Sequence, residues 1–500
     1  MAIKSVSPES DLDAGLREAR HLVGTGDPTG AERLLLDLRE RFQDSSRVAM
    51  LLAELYCEFH LPDAALPLLN QVLAGNANDA GALARKASAL YQLNRAAEAA
   101  AIAQALSAAD PRNPQHLNDL GVYRTAAGDF DAAARALNAA IELDADAVAA
   151  YHNLLEIPGQ DIDERQRMRL EALCQSTALD PGAHALANFS LSRHYRRQGN
   201  VADEFKHLDA AKGILAELSP WDPAQFGRLV DEVLALTPAA LDAARTSRSV
   251  VVTPVFVSSM PRAGSTLVEQ LLATHPDVGS IGEAGLATRA SQAVVAENRG
   301  VSPHWWHWLS LENAPDVFAA ARLAFDRAIA GCAPATPFAA EKSINNDIML
   351  GLCLLAYPDA FVVHCRRDPL DVCLSAYQAY LPGGIDYNNK LDWLAVRYEQ
   401  HAALMAHWKS LFPERIVEID YEDLVEKPER QIAALLGALG IAIPPGGLDL
   451  AARDYAVRSA SNWQVRQPIY TSSRRRWRRY RQQLEPVMHL HREPANGSGD

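Results

Sequence analysis

The feature that most constrains this chain is a period. Ala31, Ala65, Ala99 and Ala133 follow one another at intervals of 34 residues, and each stands early in an apolar helical pattern. A second series, Ala19, Ala53, Ala87 and Gly121, runs twelve residues upstream at the same interval. A turn precedes each member of the first series: Gly26-Asp27-Pro28, Leu61-Pro62-Asp63, Asn94-Arg95-Ala96 and Gly128-Asp129-Phe130. Small side chains recurring on two successive helices let the helices of a pair approach closely. A chain built this way buries its core by stacking one helix pair on the next.

The period and its small residues resemble the tetratricopeptide repeat, as four units over residues 12–147. A further unit reads near Ser192, Tyr195 and Gly199, after an interruption around Ile157 to Glu164. Such an array serves either as a concave surface for a peptide or protein partner, or as a scaffold or homodimerisation element. Pro220-Trp221-Asp222-Pro223 and the helical stretch after it read as a connection.

A chain of 500 residues exceeds one core and divides into two or three domains. Its net charge of −14 argues against a general nucleic-acid binder, although a cleft can still focus a basic field locally. No apolar segment of secretory-signal type follows Met1, and the longest apolar run, Val250 to Val257, is strand-sized; no membrane span is expected. The six cysteines show no CxxC or Cys/His metal spacing. They read as buried free thiols of a cytoplasmic protein, with no metal site.

The second half alternates strands and helices. The β-branched runs Ser249 to Val252 and Val255 to Val257 suit a buried parallel strand. Met260-Pro261-Arg262-Ala263-Gly264-Ser265-Thr266 follows, then an apolar helix from Leu267. Strand, small-residue loop and helix start together aim backbone N–H groups at one point, which suits a phosphate or sulfate. The string is not a Walker A loop, because no lysine follows Gly264; Arg262 supplies charge from before the glycine. Downstream, Ala360 to Cys365 reads as a strand, and Arg366-Arg367-Asp368-Pro369 leads into a helix through Ser375. An arginine fork matches phosphate oxygens, and a hydroxyl adds a donor.

These two strings, in this order, resemble the PAPS-dependent sulfotransferases. The first is similar to their 5′-phosphosulfate loop. The second is similar to their 3′-phosphate motif, in which an arginine and a serine eight residues later grip the phosphate; Arg367 and Ser375 match that spacing. The strand-like Ile416 to Asp420 and Tyr421 fit the same family, and the resemblance places Tyr421 near the adenosine. Ser461 to Tyr470 resembles the late loop over the nucleotide, and Arg476-Trp477 its basic end. Family members often carry an apolar residue and a glycine before that pair, whereas this chain has Arg474 and Arg475. The run Arg474 to Arg481 reads as a solvated face or as a basic rim towards an anionic acceptor. The resemblance extends over about Val250 to Tyr480. It is nearest to bacterial fusions of tetratricopeptide repeats with a sulfotransferase domain, with a catalytic pattern similar to the tyrosylprotein sulfotransferases.

Sulfuryl transfer needs an in-line arrangement, a base for the acceptor hydroxyl and donors for the charge that develops. The resemblance implies Glu283 as base, Lys342 as the cation at the bridging oxygen and Ser461 as a hydroxyl sharing that role. It implies Arg262, Ala263, Gly264, Ser265, Thr266, Arg367, Ser375, Tyr421 and Arg476 as residues holding PAPS and its product PAP. His275 and His364 are weaker alternatives for the base. His304-Trp305-Trp306-His307-Trp308 reads as amphipathic packing or as an aromatic wall for an acceptor.

The expected fold is multidomain: an all-α tetratricopeptide array, then an α/β P-loop-like sulfotransferase domain with a mainly parallel sheet. The expected limits are repeats over 1–219, a helical connection over 220–248, the sulfotransferase domain over 249–490 and a tail over 491–500. The expected activity is sulfuryl transfer from PAPS to an acceptor hydroxyl, a peptide tyrosine or a glycan. The rival readings are a repeat-based adaptor with an inactive transferase domain and a P-loop nucleotide kinase.

Overall fold

The computed structural model describes residues 8–58, 61–242, 252–298, 301–332, 336–381, 383–450, 469 and 471–491. The chain forms two compact units, Met1–Arg169 and Leu170–Asp500. Among the described residues, no helix is long and apolar enough to cross a membrane.

The first unit is a succession of helices: α1 (Pro8–Gly24), α2 (Pro28–Arg41), α3 (Ser46–Glu58), α4 (Pro62–Gly75), α5 (Ala80–Gln92), α6 (Ala96–Ala109), α7 (Pro114–Ala127), α8 (Phe130–Leu143) and α9 (Val148–Glu156). Local chemistry sets the boundaries. Asp27, Asp79, Asn113 and Asp129 cap α2, α5, α7 and α8 by accepting a backbone N–H of the first turn. Pro28, Pro62 and Pro114 stand at helix starts, where their missing N–H costs no bond. The periodic residues are where the helices touch. Ala31, Ala65, Ala99 and Ala133 are fully buried, as are Ala19 and Ala53. At Gly121, a Cβ would come within 2.5 Å of Leu137 Cγ, so only glycine lets α7 and α8 lie this close.

The second unit is built on a five-stranded parallel sheet of β1 (Thr253–Ser258), β2 (Val278–Gly282), β3 (Phe338–Glu341), β4 (Phe361–Arg366) and β5 (Ile416–Asp420), in the order β2-β3-β1-β4-β5. Central β1 is buried along nearly its whole length, as a strand covered on both faces must be. Residues 249 and 250, expected in this strand, lie outside the described residues. The helix pair Pro181–Gln198 and Val201–Leu218, which its sequence pattern groups with the repeats, folds within this unit. Its fully buried Glu204 accepts hydrogen bonds from Gln378 Nε2 at 2.7 Å and Tyr480 Oη at 3.0 Å, and Asp209 accepts one from Tyr377 Oη.

Candidate active site

From β1 the chain crosses to β2 on one side of the sheet, and from β4 it crosses to β5 on the other. The crevice between the carboxyl ends of β1 and β4 is therefore a topological switch point, where open parallel sheets bind ligands. Both phosphate-type strings leave the sheet at this crevice.

The loop after β1 runs into the helix Ser265–Leu272 through two left-handed residues, Arg262 at φ 68° and Gly264 at φ 106°. The second needs glycine twice over: a Cβ there would also meet the Tyr421 ring at 2.5 Å. Ser265 and Thr266 open the helix, in the turn whose N–H groups have no partner within the helix. Ala263 is buried beneath the loop.

Arg367, just past β4, binds this loop directly. One terminal nitrogen donates to the Arg262 carbonyl at 2.8 Å, and the other donates to the Ser473 carbonyl at 2.8 Å. The guanidinium lies 4.4 Å from the centre of the Tyr421 ring. Its Nε is buried without a hydrogen-bond partner. Arg262 Nε in turn donates to Ser375 Oγ at 3.1 Å. The residues expected to hold the two ends of one nucleotide thus bind each other across the switch point. Tyr421 closes the group through a 2.7 Å hydrogen bond between its Oη and Ser473 Oγ.

The C-terminal segment is held here by Asp371, which accepts the backbone N–H groups of Arg475 at 2.6 Å and Trp477 at 3.0 Å. Burial raises the Asp371 carboxyl, against those two donors and the Arg367 charge. Arg476 reaches Gln378 Oε1 at 3.3 Å. Ser461 lies outside the described residues.

Glu283 and Lys342 stand at the ends of neighbouring strands. The Lys342 N–H donates to the Gly282 carbonyl at 2.9 Å, and the Lys342 ammonium pairs with the Glu283 carboxylate. The lysine side chain is 5% exposed and the glutamate 38%, so the pair opens to solvent on its acidic side. Around it lie two carboxyls that the sequence reading missed. Buried Glu269 accepts from Ser280 Oγ at 2.7 Å and from the Gly282 N–H at 2.8 Å. Buried Glu341 accepts from the Ser343 hydroxyl, and burial pushes its carboxyl up to about 7. Glu341 was detectable as a carboxylate next to Lys342; Glu269 reads only as one polar position on an apolar helix.

The alternative histidines are engaged elsewhere. His275 Nε2 bonds the Ala442 carbonyl at 2.8 Å, and its Nδ1 accepts the Asp277 N–H. His364 is buried beside His401 and Glu418. Trp305, Trp306 and Trp308 are buried core side chains rather than the wall of an acceptor site, and their indole N–H groups donate to Ile348 O, Glu232 and Ser302 O.

Comparison with known proteins agrees with this architecture. Residues 254–445 match a model of the sulfotransferase family, and residues 16–80 and 60–118 match two tetratricopeptide-repeat models. The chain therefore carries a sulfotransferase-family domain preceded by tetratricopeptide repeats. A protein of Aquifex aeolicus (strain VF5) of uncharacterised function is 29% identical over 418 residues, covering 82% of this chain and 54% of its own. A Caenorhabditis briggsae protein, named provisionally as a protein-tyrosine sulfotransferase, is 24% identical over 188 residues, covering 37% of this chain and 65% of its own. The chain thus spans between about half and two thirds of the length of these relatives. Solved structures of pilF from Pseudomonas aeruginosa (16% identity, 43% of this chain and 94% of that one, TM-score 0.33) and of MamA from Desulfovibrio magneticus RS-1 (12%, 42% and 97%, TM-score 0.28) share only a remote likeness with the chain.

Proposed function

We propose that the protein transfers a sulfuryl group from PAPS to an acceptor hydroxyl, with a peptide tyrosine or a glycan hydroxyl as acceptor. The observation that carries this reading is the junction at the switch point: Arg262, Gly264, Arg367, Ser375 and Tyr421 meet there, and Lys342, paired with Glu283, stands at the end of β3, the neighbour of β1.

The residues present fit such a nucleotide. Arg367 has a buried Nε without a partner, and glycine at 264 lets the Tyr421 ring pack directly against the loop. Arg367 and Ser375 would hold the 3′-phosphate, the loop Arg262 to Thr266 the phosphosulfate, and Tyr421 and Arg476 the nucleoside side. Bound PAPS supplies an activated sulfuryl group, so no metal is needed for the chemistry proposed. Glu283 takes the proton of the acceptor hydroxyl as its oxygen bonds to sulfur. Lys342, with Ser461, stabilises the charge left on the phosphate oxygen as the old S–O bond breaks. Glu283 is tied to Lys342 and partly open to solvent, so its exposed side can meet an acceptor hydroxyl while the buried ammonium stays beside it. The repeats would recruit a protein or peptide partner.

Calorimetric titration with PAP tests the reading. The full chain is expected to bind PAP, and Arg367→Ala is expected to lose about 3 kcal/mol, roughly a hundredfold in Kd, as one charged donor set disappears. A folded wild type that ignores PAP and binds ATP instead would overturn the proposal in favour of a nucleotide kinase.

A further inference from the structure

The helix Ser265–Leu272 carries more than the loop residues at its start. One turn on, Glu269 points into the sheet and is 4% exposed. Such a carboxyl needs partners, and it has two. Its Oε1 accepts the Ser280 hydroxyl and the Gly282 N–H, both on β2. At this point β2 leaves its regular pairing: the register with β3 shifts between Ser280 and Gly282, and Gly282 turns to φ 66°. The Gly282 carbonyl is held from the other side by the Lys342 N–H. Both polar groups of Gly282 are therefore taken, one by a carboxylate from the phosphosulfate-loop helix and one by β3. The next residue is Glu283, whose carboxylate meets the Lys342 ammonium.

We propose that Glu269 is a positioning residue for sulfuryl transfer: by clamping the Gly282 amide and the Ser280 hydroxyl, it sets the direction in which Glu283 faces Lys342 and the acceptor. The inference rests on the reading of Glu283 as the base. It links the two halves of the site through hydrogen bonds, because the helix that starts at Ser265 also carries the clamp. Burial raises the Glu269 carboxyl while the Lys342 charge and the two donors lower it, so the ammonium sits in the field of two carboxyl groups. A base misplaced by about 1 Å costs on the order of a hundredfold in rate.

Glu269→Gln keeps an acceptor oxygen for both donors, whereas Glu269→Ala removes it. With PAPS and a tyrosine-containing peptide as probes, Glu269→Ala is expected to lower kcat roughly 10- to 100-fold and to leave KM for PAPS within about twofold. Glu269→Gln is expected to recover most of that loss. Equal kcat in Glu269→Ala and wild type overturns the inference, and so does a Glu269→Gln variant as impaired as the alanine. Amide hydrogen exchange over residues 278–283 gives a second readout that needs no acceptor. Faster exchange in Glu269→Ala, restored in Glu269→Gln, supports the clamp; unchanged exchange overturns it. A wild type that binds PAP and sulfates no peptide removes the tyrosine acceptor, and the exchange result then decides the clamp on its own.

Discussion

Arg475 holds a left-handed backbone at φ 56°, a conformation that costs an ordinary residue about 1–2 kcal/mol. It stands where the resembled family often has glycine, so the loop keeps the glycine geometry with an arginine in it. The strain is held because the Arg475 N–H binds Asp371 Oδ2 at 2.6 Å. Arg475→Gly should relieve the strain and add backbone entropy to the unfolded chain, for a net stabilisation of about 0.5–1 kcal/mol. A urea midpoint that does not rise would contradict this account. At this scale the two loop strings were legible as loops between a strand and a helix, because Arg262, Gly264, Arg367 and Ser375 each sit at a recognisable distance from a strand or helix start. Asp371, Ser473 and Glu269 were not, because their partners come from other elements: Asp371 takes N–H groups more than a hundred residues away.

Among elements, the repeat helices were the most legible, since close helix packing demands small residues at a fixed interval and those residues are buried as expected. Strands β1, β4 and β5 were legible from their β-branched runs. The short strands β2, Val-Gly-Ser-Ile-Gly, and β3, Phe-Ala-Ala-Glu, carry little β propensity and gain their form from neighbours in the sheet. They are nevertheless the strands that end in Glu283 and Lys342. The end of β3 also has a pH signature. The Glu341 carboxyl titrates at about 7 rather than its ordinary 4.5, so the folded state binds this proton more tightly than the unfolded chain does. Its contribution to stability is fully present below pH 4.5 and is lost as pH rises through about 7. Between pH 5 and pH 8 the wild type should lose up to roughly 3 kcal/mol relative to Glu341→Gln, which cannot ionise. Urea unfolding of both proteins at the two pH values checks this, and parallel curves would refute it.

Across the whole molecule, the second compact unit begins at Leu170, well before the sheet. The helix pair over 181–218 is part of that unit: Glu204, Asp209 and Lys212 bind Gln378, Tyr480, Tyr377 and the Ala379 carbonyl. A fragment of residues 170–500 should therefore bind PAP with the affinity of the full chain. A fragment of residues 220–500 leaves buried Gln378 and Tyr480 without their carboxylate and should unfold without a cooperative transition. Cooperative unfolding of the shorter fragment, followed by circular dichroism, would show that the pair is dispensable. The sequence by itself determined the class of both halves, because helix pairing at a fixed interval and a strand–loop–helix string are local, and local patterns survive in one dimension. Tertiary structure decided the rest. It placed the repeat-like helix pair with the sulfotransferase-family domain, brought Arg262 onto Ser375 and Arg367 onto the Arg262 loop, and set Glu269 beside Lys342. Those contacts join elements far apart in the chain, and their energy comes from burial and hydrogen bonding that exist only once the sheet has assembled.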